Sequence, residues 1–299
     1  MKTYLLLPRM QIQNANAMSS TCTIGFPAMT AWLGAVHAME RKVQAAGLSS
    51  VRCAGVAVAC HTCALQVYRG PRDYRNSIIG TANPLRKKGA SFERPPFIEE
   101  PRIHLTVSVL IEVEGLKGPD TETFQTVIAR WLPASRWAGG DLLRYGKPVL
   151  LPVRDGDELE ERAVLRRLMP GYVLIERRDL MEPAMRGGEE GLDVLLRHLA
   201  IRHSARLDEE GRVIGWDAMR ETPGWIVPIA AGFKGLSPLG HAACQRDPAT
   251  PHRFVEPVLT LGEFRLPCRF RHIKEILWHY EYQEDSALYL CGNQKTEEE

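Results

Sequence analysis

Between residues 4 and 131 the apolar periodicity switches repeatedly between two and about 3.6, and the order of those switches constrains the fold more than any other feature of the chain. Residues 4–13 read as a strand: Arg9, Gln11 and Gln13 alternate with Met10 and Ile12, so the polar and apolar sets fall on opposite faces. Residues 14–20, Asn-Ala-Asn-Ala-Met-Ser-Ser, are small and polar and suit a loop whose amides and hydroxyls face a ligand. A helix is predicted to start near Pro27, since Pro is favoured in a first turn. Met29, Trp32, Leu33, Val36 and Val43 then fall at helical spacing, with Gly34 allowing close approach to a sheet and Gly47 ending the helix. Residues 51–68 are apolar and β-branched enough for a second strand. Residues 69–101 break the pattern with Pro71, Pro84, Pro95, Pro96 and Pro101, and with seven Lys/Arg against two acids between Arg69 and Arg94. A run this long inside a compact domain is more often a functional loop or extended hairpin than filler. A strand over 103–113, a turn over 115–119 and a helix over 122–131 follow. Strand–helix–strand–insert–strand–helix gives the first five elements of a ferredoxin-like βαββαβ unit.

Downstream, helices are predicted over 157–168 and 189–206, separated by a short strand over 172–175 and the Gly187-Gly188 break. A strand over 224–231, a loop over 233–239, a helix over 270–280, a strand over 287–290 and an acidic tail over 294–299 complete the reading. The expected architecture is a single α+β body over 1–299, with a basic insertion at 69–101 and a helical insertion at about 157–220. No apolar stretch approaches the length a membrane span needs. The start is too short for a signal peptide, and seven scattered cysteines make no disulfide framework, so a reducing, cytoplasmic setting is expected.

The net charge of +2 hides a polarity. Residues 1–94 carry 12 Lys/Arg against 3 acids, a balance of +9, so residues 95–299 carry −7. Arg outnumbers Lys 29 to 9, and its planar fork of donors fits phosphate and base edges better than a point charge. A basic front on an acidic rear suggests a polyanion held by one part with protein neighbours on the rest; an unevenly charged but ordinary solvated surface is the alternative.

Enzyme signatures are missing: there is no Walker A, G-x-G-x-x-G or H-E-x-x-H pattern. Gly235-Leu-Ser-Pro-Leu-Gly240 has one residue too many for a nucleophile elbow, and Pro238 removes the oxyanion-hole N–H. Cys60-His61-Thr62-Cys63 lacks the second pair a closed zinc site requires, so no metal or cofactor is expected. His279-Tyr-Glu281 lacks the P-C-x-x-C of a deaminase. His37, one residue after core-facing Val36, could serve as general base on an RNA 2′-hydroxyl or simply pack at the sheet edge. Arg9, Gln11, Gln13, Asn14, Asn16, Ser19 and Ser20 concentrate donors and acceptors within twelve residues. Single-stranded RNA exposes base edges, 2′-hydroxyls and phosphates, and amides with Arg can read all three. The aromatic stacking signature of an RRM is absent, so such RNA would be held by hydrogen bonds and charge.

The blocks Leu5-Leu-Leu-Pro-Arg9, Ile12-Gln-Asn-Ala-Asn-Ala17, Ser19-Ser20, Gly25-Phe-Pro27 and Val36-His-Ala38, in that order, resemble the opening of the Csy-two (Cas-five-f) family, the Cas-five-type subunit of the type I-F CRISPR surveillance (Csy, or Cascade) complex. Further resemblance lies in Arg102-Ile-His-Leu105, Leu168-Met-Pro-Gly-Tyr172, Pro223-Gly-Trp-Ile-Val-Pro228, Gly235-Leu-Ser-Pro-Leu239, Arg253-Phe-Val-Glu256 and Leu261-Gly-Glu-Phe264. The resemblance implies a RAMP-type, RRM-like core with a thumb-like insertion. It implies a non-catalytic scaffold for antiviral defence that pairs with the large Cas-eight-type subunit and an adjacent Cas-seven-type backbone subunit. It implies a grip on the 5′ tag of the crRNA, in a complex that unwinds PAM-flanked double-stranded DNA. On that basis Arg9, Arg72 and Arg75 are expected on phosphates, Gln11, Gln13, Asn14, Asn16, Ser19 and Ser20 on the tag, and Arg253 with Phe254 as a cation beside a stacking ring. A metal-independent RNA endonuclease using His37, and a protein adaptor without RNA contact, are the competing expectations.

Overall fold

The computed structural model describes residues 1–81, 85–93, 100–245 and 247–293. The opening follows the predicted order: β1 (Lys2–Asn16), α1 (Met29–Ala45), β2 (Arg52–Leu65), β3 (Glu100–Glu114) and α2 (Thr121–Trp131). Next come β4 (Gly140–Arg144), β5 (Val149–Val153), α3 (Glu158–Arg167), β6 (Tyr172–Glu176) and α4 (Gly191–Leu199). The chain continues with β7 (Arg202–Leu207), β8 (Val213–Met219), β9 (Ile226–Gly235), β10 (Val255–Arg265), β11 (His279–Gln283) and β12 (Leu288–Gly292). The result is a mixed α+β fold dominated by one antiparallel sheet in the order β4-β1-β3-β2-β6-β10-β9-β12-β11, with the short strand Arg136–Trp137 beyond β4 and β5 pairing the start of β1. Past β2 the sheet curls back: Trp278, leading into β11, exchanges both backbone hydrogen bonds with Val56 of β2 at 2.8 and 2.9 Å.

β3 explains why the sheet needs cover on both faces. Its odd residues Ile103, Leu105, Val107, Val109, Ile111 and Val113 are all buried in the cluster that α1 and α2 roof. Its even residues divide. Leu110 lies with Tyr4, Leu6, Ala57 and Ala59 in a second cluster closed by Val164 and Leu165 of α3 and by Phe270, Ile273 and Ile276. From Ser108 to Arg102 the even positions are polar, and β1 and β2 place further polar side chains beside them. A third cluster seats Val194 and Leu195 of α4 on Ile226 and Leu261.

α1 buries Met29, Trp32, Leu33, Val36, Met39 and Val43, as its spacing requires, and Gly47 follows it with φ +98°. Gly34 does not meet the sheet: it is exposed, and a Cβ there would touch nothing within 4 Å. Gly34→Ala is therefore expected to raise stability by about 1 kcal/mol through helix propensity alone, seen as a higher denaturant midpoint at unchanged slope.

Three downstream predictions are corrected. The helix over 189–206 ends at Leu199, and residues 202–207 instead pair with β8 in a hairpin whose turn is tied by Asp208, which accepts the N–H groups of Glu210 and Arg212. The helix over 270–280 is two short 3-10 turns, Pro267–Arg269 and Ile273–Ile276, followed by β11. Glu275 accepts the backbone N–H groups of Arg271 and His272, and Glu161 that of Ile273, while the pairing with Val56 draws Trp278 into extended backbone. Residues 233–235, assigned to a loop, extend β9. The residues Pro84, Pro95, Pro96, Arg94 and 294–299 of the predicted insert and tail lie outside the described residues.

Candidate nucleic-acid interface

The core-facing residues of β1 run Leu5, Leu7, Met10, Ile12 and Ala15. Two of those steps are three residues instead of two, and each is a bulge, where the register to β3 shifts. Arg9 and Asn14 sit in the bulges with φ +52° and +55°. Asn tolerates left-handed backbone; Arg does so at a cost of order 1 kcal/mol or more, which the surroundings must hold in place.

What holds Arg9 is Ser108, a 1% exposed residue of the straight strand between two bulged ones. Its Oγ accepts the Arg9 backbone N–H at 3.1 Å and lies 2.7 Å from His61 Nε2. His61 is itself the extra residue of a bulge in β2, and its Nδ1 is 2.5 Å from the Pro170 carbonyl. A carbonyl can only accept, so Nδ1 carries the proton and Nε2 receives the Ser108 hydroxyl. Burial, reinforced by the Arg9 charge, pushes the His61 pKa below its ordinary value of 6.5. Because the folded state resists a proton that the unfolded chain accepts, this stabilisation is complete above about pH 6.5 and declines as pH falls below it. Denaturant titrations between pH 7.5 and 5 should show that decline, and His61→Gln should flatten it.

Beyond the bulge the bare half of the sheet carries a polar row. Arg144, Gln11, Thr106 and Thr62 stand directly opposite one another on β4, β1, β3 and β2, and so share a face. One register further, the Asn14 backbone N–H donates to His104 Nδ1 at 3.3 Å. Gln66 Nε2 donates to Asn14 Oδ1 at 2.7 Å and lies 3.2 Å from His104 Nε2. The Arg9 guanidinium borders the row and touches the Met169 carbonyl at 3.4 Å. Arg9, Gln11 and Gln13 are all exposed.

Other expected ligand groups are placed elsewhere. The Asn16 amide closes on the Met18 backbone at 3.1 Å in both directions. Ser20 is buried, 2.7 Å from Thr23 Oγ1, and accepts the Cys22 N–H; Ser19 reaches the Phe26 carbonyl at 3.5 Å. These three build the hairpin of Met18–Ser20 with Thr23–Ile24. Arg72 and Arg75 are exposed between the paired strands Val67–Tyr68 and Ser77–Ile78, where Asp73 accepts the Gly70 N–H and ties the tip. Tyr74, 95% exposed between them, was not anticipated. Arg253 and Phe254 lie at β10: Arg253 donates to the Tyr282 hydroxyl at 3.1 Å, and Phe254 meets His252 edge-on at 4.9 Å. His37 is exposed on α1, across the sheet from the polar row, its ring parallel to Tyr280 at 6.4 Å.

Cys60 and Cys63 do not converge with His61. The bulge puts both cysteines on the helix side, where a hydrogen bond with Cys63, followed by burial, pushes the Cys60 thiol well above its ordinary range, while His61 points to Ser108. Among the described residues no group of three or more His, Cys, Asp or Glu is placed to hold a metal ion, and no helix is long and apolar enough to cross a membrane.

Arg144, Thr106, His104, Thr62 and Gln66 were missed by sequence reasoning. Strand parity would have found the β2 and β3 members once the register was known; Arg144 follows no local pattern.

Comparison with known proteins agrees with the blocks that run down the sequence. Residues 5–291 match the family model described as CRISPR-associated protein (Cas_Csy2). The chain is 36% identical over 314 aligned positions to the CRISPR-associated protein Csy2 of Pseudomonas aeruginosa (strain UCBPP-PA14), covering 95% of this chain and 93% of that protein. The chain therefore belongs to the Csy2 family of CRISPR-associated proteins.

Proposed function

We propose that the chain is a non-catalytic, cytoplasmic subunit of a type I-F CRISPR surveillance complex that grips the 5′ tag of the crRNA with the bare half of its sheet. The observation that carries this reading is the open row Arg144–Gln11–Thr106–Thr62, bordered by Arg9 and by the Asn14–Gln66–His104 cluster. Apolar cover by α3 and the 3-10 turns stops at Ser108, and the face beyond it offers amides, hydroxyls, an imidazole and guanidinium groups, the chemistry that reads phosphates, 2′-hydroxyls and unstacked base edges. The strand order β4-β1-β3-β2 with α1 and α2 on one face supports a ferredoxin-like, RAMP-type core. The exposed Arg72–Tyr74–Arg75 tip serves as a thumb over the strand. The acidic remainder suits neighbouring Cas-eight-type and Cas-seven-type subunits, and the complex takes guide-paired target DNA.

Purification of the chain with its neighbours, followed by sequencing of the bound nucleic acid, tests this. One population of RNA sharing a common 5′ sequence is expected. Absence of RNA, or cleavage of repeat RNA in EDTA that His37→Ala abolishes, would refute it.

A further inference from the structure

On the α1 side of the sheet, away from the polar row, the last strands carry aromatic rings in register. Phe233 of β9 stands opposite Tyr289 of β12, which stands opposite Tyr282 of β11, and Tyr280 lies diagonally beside them. Residues directly opposite share a face. Tyr280 and Tyr289 stack at 5.6 Å and 22°, Phe233 and Tyr289 lie 6.3 Å apart at 30°, and His37 extends the stack from Tyr280 at 5°. These rings are not core: Tyr280 is 50% exposed, Tyr282 53% and Phe233 37%. Cations stand at both ends. Arg41 is exposed four residues beyond His37 on α1, and the Arg253 stem passes over Gly235, where a Cβ would come within 2.7 Å of its Cδ, to reach the Tyr282 hydroxyl. The Arg253 Nε is buried without a partner. Alternation turns Glu281 and Gln283 to the other face of β11.

We propose that this shelf is a second nucleic-acid site, taking the unpaired bases of a single strand by stacking. Every base has a π-face, so rings on a sheet bind single strands with little regard to sequence, and flanking arginines meet the phosphates. Stacking on the rings engages the base and not the sugar, so DNA and RNA should both be accepted. The inference does not depend on the polar face being the crRNA site.

The test uses the purified full chain and fluorescence anisotropy with labelled 12-mers of dT, of rU and of abasic deoxyribose phosphate. The wild-type chain should bind dT at least tenfold more tightly than the abasic strand, and rU within a few-fold of dT. Tyr280→Ala with Tyr282→Ala should abolish the dT advantage, Tyr280→Phe with Tyr282→Phe should keep it, and Arg9→Ala with Arg144→Ala should leave it intact. Equal binding of dT and abasic strands by the wild type would overturn the proposal. So would a dT response that depends on Arg9, which places the strand on the polar face. Loss in the Phe pair equal to that in the Ala pair would also overturn it, as would Ala variants that keep dT binding but lose a neighbouring subunit, which makes the shelf a protein contact.

Discussion

Trp278→Ala should cost about 3–5 kcal/mol of unfolding free energy. The indole is fully buried and is packed in the cluster that roofs β1, β2 and β3. Its Nε1–H donates to the Leu174 carbonyl of β6 at 2.7 Å, and its backbone pairs with Val56 of β2. One residue thus ties the curled half of the sheet to the flat half. Alanine would remove the packing, leave a cavity and strand a buried carbonyl. Trp278→Phe separates the contributions: it keeps most of the volume and loses the hydrogen bond, so about 1–2 kcal/mol is expected. Chemical denaturation monitored by circular dichroism measures both. A loss below about 1 kcal/mol for the alanine variant would mean that the two halves are coupled elsewhere.

Arg9→Ala with Arg144→Ala should lower the affinity of the full chain for tag RNA by roughly 10- to 100-fold at physiological salt, since each exposed arginine contributes about 0.5–1.5 kcal/mol net once water replaces it on the phosphate. If both arginines neutralise phosphates, the slope of log affinity against log salt should fall by about 1.4, at about 0.7 per contact on a single strand. Gln11→Ala, in the row between them, should weaken binding without changing that slope. An unchanged slope in the double variant would remove the phosphate role from both residues. Because Arg9 is strained by its positive φ, its replacement by glycine should stabilise the fold slightly while still losing RNA, which separates binding from folding.

The front of the chain was legible because its pattern is local. Arg9, Gln11 and Gln13 reach the open face as their alternation requires, and α1 buries the residues its spacing selects. The bulges were not legible: Leu7, Met10, Ile12 and Ala15 change step where Ser108 with His61 meets Arg9 and where His104 with Gln66 meets Asn14, and those partners are far away in sequence. β10 was not among the strands expected from the sequence, where Pro257, Gly262 and Glu263 interrupt its apolar pattern. In the structure Gly262 lies where a Cβ would come within 2.9 Å of Leu174 and 3.0 Å of Ile229, and Glu263 pairs with Arg177. Phe270, Ile273, Ile276 and Leu277 mimic a helical stripe, yet the carboxylates of Glu161 and Glu275 claim the amides a helix would use. Asn16 and Ser20 showed the right chemistry but spend it on their own turn.

The two step changes in β1 set limits on how this protein can drift in length. Each added residue corrects the phase of everything after it, so excising residue 9 would turn the following stretch inside out, presenting Ile12 to water and Gln11 and Gln13 to the helices, and excising residue 14 would turn Ala15 away from the core. The tip at 208–212, which among the described residues bonds within its own hairpin, bears no such restriction. Natural relatives should therefore vary freely in loop size there while keeping the spacing from Leu5 to Ala15 invariant.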